Sequence, residues 1–96
     1  MNASKIQSQI SKFCAERNVL YNNLVTMSKA GWPDVMIVSN GITYYFEIKY
    51  GKDTLKPLQK YIIDKLNKHS KIAFIAKTFQ EFKQIYRDEI ASKQFK

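Results

Sequence analysis

The order of apolar patterns along the chain predicts an α/β domain in which helices pack on a mixed β-sheet. Helical periodicity opens the sequence, three strand-like segments follow, and a second helical segment separates the third of these from a fourth. A helix between two strands is typical of a parallel crossover, whereas short turns allow antiparallel pairing. We therefore expect an antiparallel three-stranded meander, a crossover helix, a fourth strand that joins in parallel, and a C-terminal helix.

The composition narrows the kind of protein this can be. The 96 residues suffice for one compact domain, 1–96, and a hydrophobic content of 45% predicts a packed core. Sixteen Lys and Arg residues against eight Asp and Glu residues give a formal net charge of +8, which favours a polyanionic partner such as nucleic acid. A membrane surface is the second candidate for this partner, and a merely soluble basic surface remains the plain alternative.

The sequence shows no signal for export or membrane insertion. No apolar run approaches the roughly 20 residues that span a bilayer, and the N-terminus lacks the apolar core of a signal peptide. The single cysteine, Cys14, excludes an internal disulfide and a cysteine-cluster zinc site. We therefore expect a cytoplasmic protein without a membrane-spanning segment, and, with nucleic acid as the favoured partner, no membrane among its partners.

The first half of the chain predicts a helix and a hairpin. Lys5–Glu16 has apolar residues at helical spacing, and Val19–Met27 is predicted to be a strand, bent or turned at its two asparagines. Val35–Val38 is a short apolar run typical of a buried strand, and Ile42–Tyr50 is β-branched and aromatic. The turn signal Ser39–Gly41 lies between them, so these two strands should pair as a hairpin.

The second half predicts the crossover and the last helix. Leu55–His69 carries an apolar stripe at helical spacing, and Thr54 can cap this helix. Ile72–Ala76 is a short apolar strand. Thr78 and Glu81 match a capping box, which predicts that the final helix begins directly after Thr78.

Two carboxylates and one ammonium group are predicted to meet at one end of the hairpin. Glu47 and Lys49 are two residues apart and project to the same face of their strand. Asp34 begins the preceding strand, so hairpin pairing brings it beside them. Two carboxylates can hold a hard cation such as Mg²⁺, and a nearby lysine can stabilise negative charge that develops on a phosphate. The alternative is a solvent-exposed ion pair between Glu47 and Lys49.

The spacing of these residues resembles a known nuclease signature. Gly31–Asp34 reads Gly-Trp-Pro-Asp, Glu47–Lys49 reads Glu-Ile-Lys, and Gln59 follows near the start of the next helix. This pattern is similar to that of the PD-(D/E)XK nuclease superfamily and, in detail, to its virus-type replication-repair nuclease branch, the VRR-NUC domain. The family core has the element order αβββαβ, which matches the order predicted above.

The resemblance implies a role for each matching residue. Asp34 and Glu47 would be ligands of Mg²⁺ or Mn²⁺, with the backbone carbonyl of Ile48 as a third ligand. Lys49 would be the catalytic lysine, and Gln59 would line the site from the crossover helix.

The first helix departs from the family pattern. Members usually carry an acidic residue there, a few positions before a glutamine. If Gln7 is that glutamine, the acid's place falls at or near Ser4, and Glu16 is the only acid in this helix. Whether Glu16 contributes, and whether one or two metals bind, therefore stays open.

The resemblance implies a metal-dependent DNA endonuclease. Stand-alone viral members are dimers that act on four-way junctions, so we expect a homodimer that prefers branched or junction DNA, in a host-cell cytoplasm if a phage encodes it. Two alternatives remain: a non-catalytic nucleic-acid-binding module of the same fold, and an RNA-binding accessory protein. The apolar and aromatic content exceeds what one small core needs, so some of five residues are candidates for an interface instead of the core: Tyr21, Leu24, Trp32, Phe79 and Phe82.

Overall fold

A computed structural model describes residues 2–24 and 29–94, with side chains to residue 93. Helices and strands follow one another in the predicted order. The elements are α1 (Ala3–Glu16), β1 (Leu20–Asn23), β2 (Val35–Ser39), β3 (Ile42–Ile48), α2 (Pro57–Leu66), β4 (Ala73–Ala76) and α3 (Phe79–Ile85), which continues through a π-helical segment (Tyr86–Ala91) into a last helical turn, α4 (Ser92–Gln94).

The four strands form one mixed sheet in the order β1-β2-β3-β4. The pairs β1–β2 and β2–β3 are antiparallel, and β3–β4 is parallel, so both the meander and the parallel crossover are confirmed. Asn40 and Gly41 have φ angles of 51° and 78° in the β2–β3 turn. Two consecutive left-handed residues are typical of a tight hairpin turn, and they fix the register that places Ile37 opposite Tyr44.

The core lies between one face of the sheet and the helices α1 and α3. Phe82 of α3 is fully buried and contacts Phe46 of β3, with 4.8 Å between ring centroids, and Phe13 of α1, with 5.4 Å. Because Phe82 is enclosed in this way, its earlier assignment as an interface candidate is wrong. Alternate residues of β2 and β3 supply the sheet's side of this core: Val35, Ile37, Tyr44, Phe46 and Ile48.

The crossover helix is shorter at both ends than its apolar stripe predicts. It begins at Pro57 with Lys56 as N-cap, so the prediction of Thr54 as the cap is wrong. It ends at Leu66 with Asn67 as the C-cap, whose backbone N–H still donates to the Ile63 carbonyl while its side chain bonds to the start of β4. The Asn67 Oδ1 atom accepts hydrogen bonds from the backbone N–H groups of Ile72 and Ala73, both at 2.8 Å.

The remaining element ends differ in detail from the predictions. The strand predicted over Val19–Met27 is observed only at Leu20–Asn23, and positions 25–27 lie outside the described residues. The cap at Thr78 is confirmed, since its Oγ1 accepts from the N–H of Glu81 at 3.0 Å. The Glu81 carboxylate, however, accepts from the N–H of Lys77 instead of closing the box at Thr78. Within the described residues, no helix has the length and apolar character required to cross a bilayer.

Candidate active site

The hairpin register places Asp34 at the end of the sheet where β3 finishes. Val35 pairs with Phe46, so Asp34, one position earlier, lies across from the end of β3. The Asp34 Oδ2 atom accepts a hydrogen bond from the backbone N–H of Ile48 at 2.9 Å, and its carbonyl accepts from the N–H of Leu24 at 2.7 Å. Asp34 is therefore held on both sides, by Ile48 through its carboxylate and by Leu24 through its backbone carbonyl.

Glu47 and Lys49 form a buried ion pair. The Lys49 Nζ atom lies 3.2 Å from Glu47 Oε2, and the two residues are 4% and 2% exposed. The alternative of a solvent-exposed pair is therefore wrong. Removing two charges from water is unfavourable unless the pair and its remaining hydrogen-bonding groups are well satisfied.

Gln59 reaches this pair from the first turn of α2. Its Nε2 atom donates to Glu47 Oε2 at 3.2 Å, while its Oε1 accepts from the backbone N–H of Lys56 at 2.9 Å. The second contact fixes the orientation of the amide, because an acceptor is required towards the helix start and a donor towards the carboxylate.

One oxygen of Glu47 is left without a donor. Glu47 Oε2 contacts both Lys49 and Gln59, but Glu47 Oε1 is buried and has no hydrogen-bond partner among the described residues. A buried acceptor of this kind is unfavourable by itself and requires an explanation. A cation held between Glu47 and Asp34 would supply one, so the donor set fits a divalent metal with oxygen ligands.

Both carboxylates are shifted towards their protonated forms. The pKa of Glu47 is raised to about 7, chiefly by burial and then by the charge of Asp34, while Lys49 opposes the shift. Burial also raises the pKa of Asp34, against the lowering effects of the Ile48 hydrogen bond and of Lys49. Two carboxylates that resist ionisation together form a site that gains from a bound cation.

Sequence reasoning missed Asp53, an exposed residue in the loop after β3. Its charge raises the pKa of both Asp34 and Glu47, so it lies within electrostatic range of the site. Within the described residues, however, no three acidic, His or Cys side chains form a group that could hold a metal. An acid four residues after the Lys of a Glu-x-Lys motif was the signal available in the sequence.

The first helix does not bring an acid to the pair. Glu16 lies beside Arg17, 3.9 Å from its guanidinium, and lines a depression together with Phe79 of α3. This depression is on the helix-covered side of the sheet. Gln7 instead accepts from the side chain of Asn23 at 3.0 Å.

Gly31 allows the segment before Asp34 to pack directly against α2. It has a φ of 87°, and a Cβ atom built on it would lie 2.5 Å from Leu58 Cγ. Next to it, half-buried Trp32 contacts Tyr45 edge-on, with 6.0 Å between ring centroids. Tyr45 shares the face of β3 that carries Glu47, so this aromatic pair borders the site.

Comparisons with known proteins bear on the fold. No model of a protein family matches this sequence, and neither does any curated protein. A solved structure described as a VRR_NUC domain superposes with a TM-score of 0.78, over 91% of this chain and 96% of its own length. The fold is that of a VRR_NUC domain. The identity is 16%, so the likeness establishes the VRR_NUC fold and not the roles of individual residues.

The resemblance drawn from the sequence motifs is thus confirmed at the level of the fold. In this VRR_NUC fold, Asp34, Glu47, Lys49 and Gln59 converge at one end of the sheet, as the motif spacing predicted. Glu16 is the one candidate that the fold places elsewhere.

Proposed function

We propose that this protein is a metal-dependent nuclease that hydrolyses phosphodiester bonds of DNA. The observation that carries the proposal is the buried Glu47 carboxylate near half-buried Asp34, with Lys49 at 3.2 Å and an Oε1 atom that has no partner among the described residues. The VRR_NUC fold supports it, and so does the net charge of +8, since a polyanionic substrate must be held near two carboxylates.

Asp34 and Glu47 would hold Mg²⁺ or Mn²⁺, with the backbone carbonyl of Ile48 as a third ligand. When bound, such a cation polarises the scissile phosphate and lowers the pKa of a coordinated water. The Asp34 carboxylate is aimed by the N–H of Ile48, and Glu47 is aimed by Gln59. These contacts keep both ligands in place before the substrate arrives, which reduces the reorganisation needed at the moment of reaction.

Lys49 would act on the reacting phosphate itself. Its ammonium is buried and already directed at the carboxylate centre, so it can orient the attacking water or stabilise charge on the pentacovalent phosphate. Burial makes this interaction stronger than it would be in water. Lys49 is therefore assigned a role in the transition state, distinct from the ligand role of Asp34 and Glu47.

The decisive experiment compares Asp34→Ala with Asp64→Ala. Asp64 is an exposed acid on α2, paired with Lys60, so it is a matched control for loss of one negative charge. In a plasmid-nicking assay with Mg²⁺, we expect Asp34→Ala to bind DNA but not cut it, and Asp64→Ala to cut like the wild type. EDTA should stop the wild type. Cutting by Asp34→Ala at the wild-type rate would show that the site is misplaced.

A non-catalytic binding module of the same fold is the second candidate. It is favoured by one observation: the described residues hold two acids at the site and no third acidic, His or Cys ligand near them. Wild-type protein that binds plasmid DNA but leaves it intact with Mg²⁺ and with Mn²⁺ would establish this alternative.

We further propose a homodimer that prefers branched DNA. A twofold dimer supplies two cutting sites in fixed relation, which symmetric cleavage of a junction requires. An uncovered apolar patch on the sheet supports this: Leu20 is 70% exposed and lines a shallow depression with Met36 and Val38. Light scattering tests for the dimer. Cleavage rates on matched junction and linear substrates test the preference for branched DNA. A monomeric mass with equal rates on both substrates would contradict the assembly proposal alone.

A further inference from the structure

A second basic surface lies on the helix-covered side of the molecule. Two adjoining depressions, of about 400 and 290 Å³, share Phe13, Arg17 and Lys83 in their linings. Lys12 completes the first depression and Arg87 the second. We call the four cations Lys12, Arg17, Lys83 and Arg87, with the aromatic rings between them, the helical basic face.

Aromatic rings form the floor of the helical basic face. The Arg17 guanidinium carbon lies 3.6 Å from the centroid of the Phe13 ring, and its Nη1 donates to the Phe13 carbonyl at 3.2 Å. The Lys83 ammonium lies 5.0 Å from the centroid of Phe79. Cations that rest on rings are positioned before any ligand binds, and they keep polar hydrogens available for an anion.

The charge of this surface is poorly compensated. Glu16 is the one carboxylate in the two linings, and it lies 3.9 Å from Arg17 as an exposed pair. Asp88 approaches Arg87 at 3.7 Å, again with both side chains exposed. Exposed ion pairs of this kind contribute little to stability, and a more highly charged anion readily displaces their carboxylates. The surface therefore offers four cations to an anionic partner.

The helical basic face lies across the sheet from the carboxylate pair. Phe46 points towards α3 and contacts Phe82, whereas the next residue, Glu47, points to the opposite face of β3. A straight duplex bound at Glu47 therefore cannot also occupy this surface. A second nucleic-acid segment can, and the interleaving of cations with rings suits a phosphate backbone with bases or sugars beside it.

We propose that the helical basic face binds the backbone of a second DNA segment, separate from the one at the carboxylate pair. The identity of the partner rests on the proposed nuclease function, but binding at this face requires neither metal nor cleavage. The bound segment would be another arm of the same branched molecule or a neighbouring duplex.

The test uses Lys12→Glu combined with Lys83→Glu, measured in EDTA against a duplex of about 20 base pairs over a series of salt concentrations. Neither lysine is in the candidate active site. Lys68→Glu combined with Lys71→Glu is the matched control, since these residues lie before β4 at the other end of the sheet from Glu47 and carry the same charge change.

We expect the Lys12/Lys83 variant to bind about tenfold more weakly or worse near 0.1 M salt, with a log–log salt slope smaller by about two, as loss of two phosphate contacts predicts. The control should lose less than about threefold through general charge alone. Arg17→Gln, which keeps a side-chain donor but loses the charge, should reduce the slope by about one.

Equal affinities and slopes for the two double variants would overturn the proposal. So would a change from dimer to monomer in the Lys12/Lys83 variant without DNA, since that result assigns the face to a protein interface. With Mg²⁺, the variant at saturating concentration should still cut a short linear duplex at the wild-type rate. Because binding is scored in EDTA, an inactive but DNA-binding wild type would refute the nuclease function and leave this proposal standing.

Discussion

Two carboxylate–lysine pairs in this molecule have similar geometry and opposite surroundings. Lys60 and Asp64 on α2 approach to 2.9 Å with their side chains about two-thirds exposed, whereas Lys49 and Glu47 approach to 3.2 Å with theirs 5% and 3% exposed. The exposed pair follows from helical spacing of i and i+4 and is worth a few tenths of a kcal/mol. The buried pair is unfavourable to desolvate, so its presence needs a reason other than stability.

The comparison shows that the same two residue types can form a solvated pair on a helix or a buried pair in the candidate active site. Distance does not distinguish the two pairs; burial and additional partners do. Glu47 also contacts Gln59, its second oxygen has no donor among the described residues, and Asp34 raises its pKa. The pair on α2 has none of these features among its described contacts.

The largest effect is expected from removal of the buried ammonium. Lys49→Ala should lower the single-turnover cleavage rate by about 10²–10⁴-fold, because the group acts in the transition state. Its Mg²⁺ affinity, measured by calorimetry, should be unchanged or higher, since a neighbouring positive charge is gone. Lys60→Ala is the control and should cut normally. Lost metal affinity with normal cleavage would reverse the assignment of Lys49.

A smaller effect is expected from pH on the stability of the metal-free protein. The pKa of Glu47 is about 7 in the fold against an ordinary value of 4.5, so its protonation stabilises the fold. This contribution is fully present below pH 4.5 and is lost as the pH rises through 7; it amounts to about 3 kcal/mol at most. Urea unfolding in EDTA across this range measures it.

Two additions sharpen the pH experiment. Mg²⁺ should restore stability above pH 7, because a bound cation would offset the repulsion between the two ionised carboxylates. Asp34→Asn should flatten the pH dependence, since the charge of Asp34 is one cause of the shift in Glu47. Asp64→Asn should leave it as in the wild type. The account would be contradicted if the free energy of unfolding rose between pH 4.5 and 7 to the same extent in Asp34→Asn and in Asp64→Asn.

Gln59→Ala should have an intermediate effect on function and a modest one on stability. It removes the donor to Glu47 and the acceptor for the N–H of Lys56. Two such hydrogen bonds contribute about 1–3 kcal/mol together. We expect cleavage to fall by roughly tenfold through a less well-oriented Glu47, with a weaker apparent Mg²⁺ affinity. Wild-type Mg²⁺ dependence in this variant would reduce Gln59 to a helix-capping residue.

The smallest effect on stability is expected from the exposed pair of Lys60 and Asp64. Lys60→Ala should change the free energy of unfolding by no more than about 0.5 kcal/mol, because an exposed i, i+4 pair gains little and is screened by salt. Thermal unfolding in low and high salt measures it. A loss above about 2 kcal/mol would show that exposure does not predict how much these ion pairs contribute to the free energy of unfolding.

The sequence was sufficient wherever the deciding signal is local. The turn at Asn40 and Gly41 needs only residues that adopt left-handed conformations, and alternation along β3 assigns Glu47 and Lys49 to one face. Together these place Asp34 near both of them. The element order followed from the same periodicities, and a solved VRR_NUC domain shares it.

The sequence was insufficient wherever a distant contact decides. The Asn67 side chain at the end of α2 bonds to the start of β4, and the burial of Lys49 is a property of the whole fold. Neither is visible as a pattern within a short window. Asp53 was missed for a related reason, because the distance between a loop residue and Glu47 is set only by the folded chain.

The contact between Gly31 and Leu58 gives the site an unusual point of vulnerability. Asp34 lies in the meander and Gln59 in the crossover helix α2. These two parts of the chain pack against each other at Gly31, which has no side chain. A methyl group there would push α2 away from the segment that precedes Asp34. It would separate Gln59 from Asp34 in the candidate active site without changing any charged group. Gly31 thus serves as the spacer that sets how tightly the two parts close on each other.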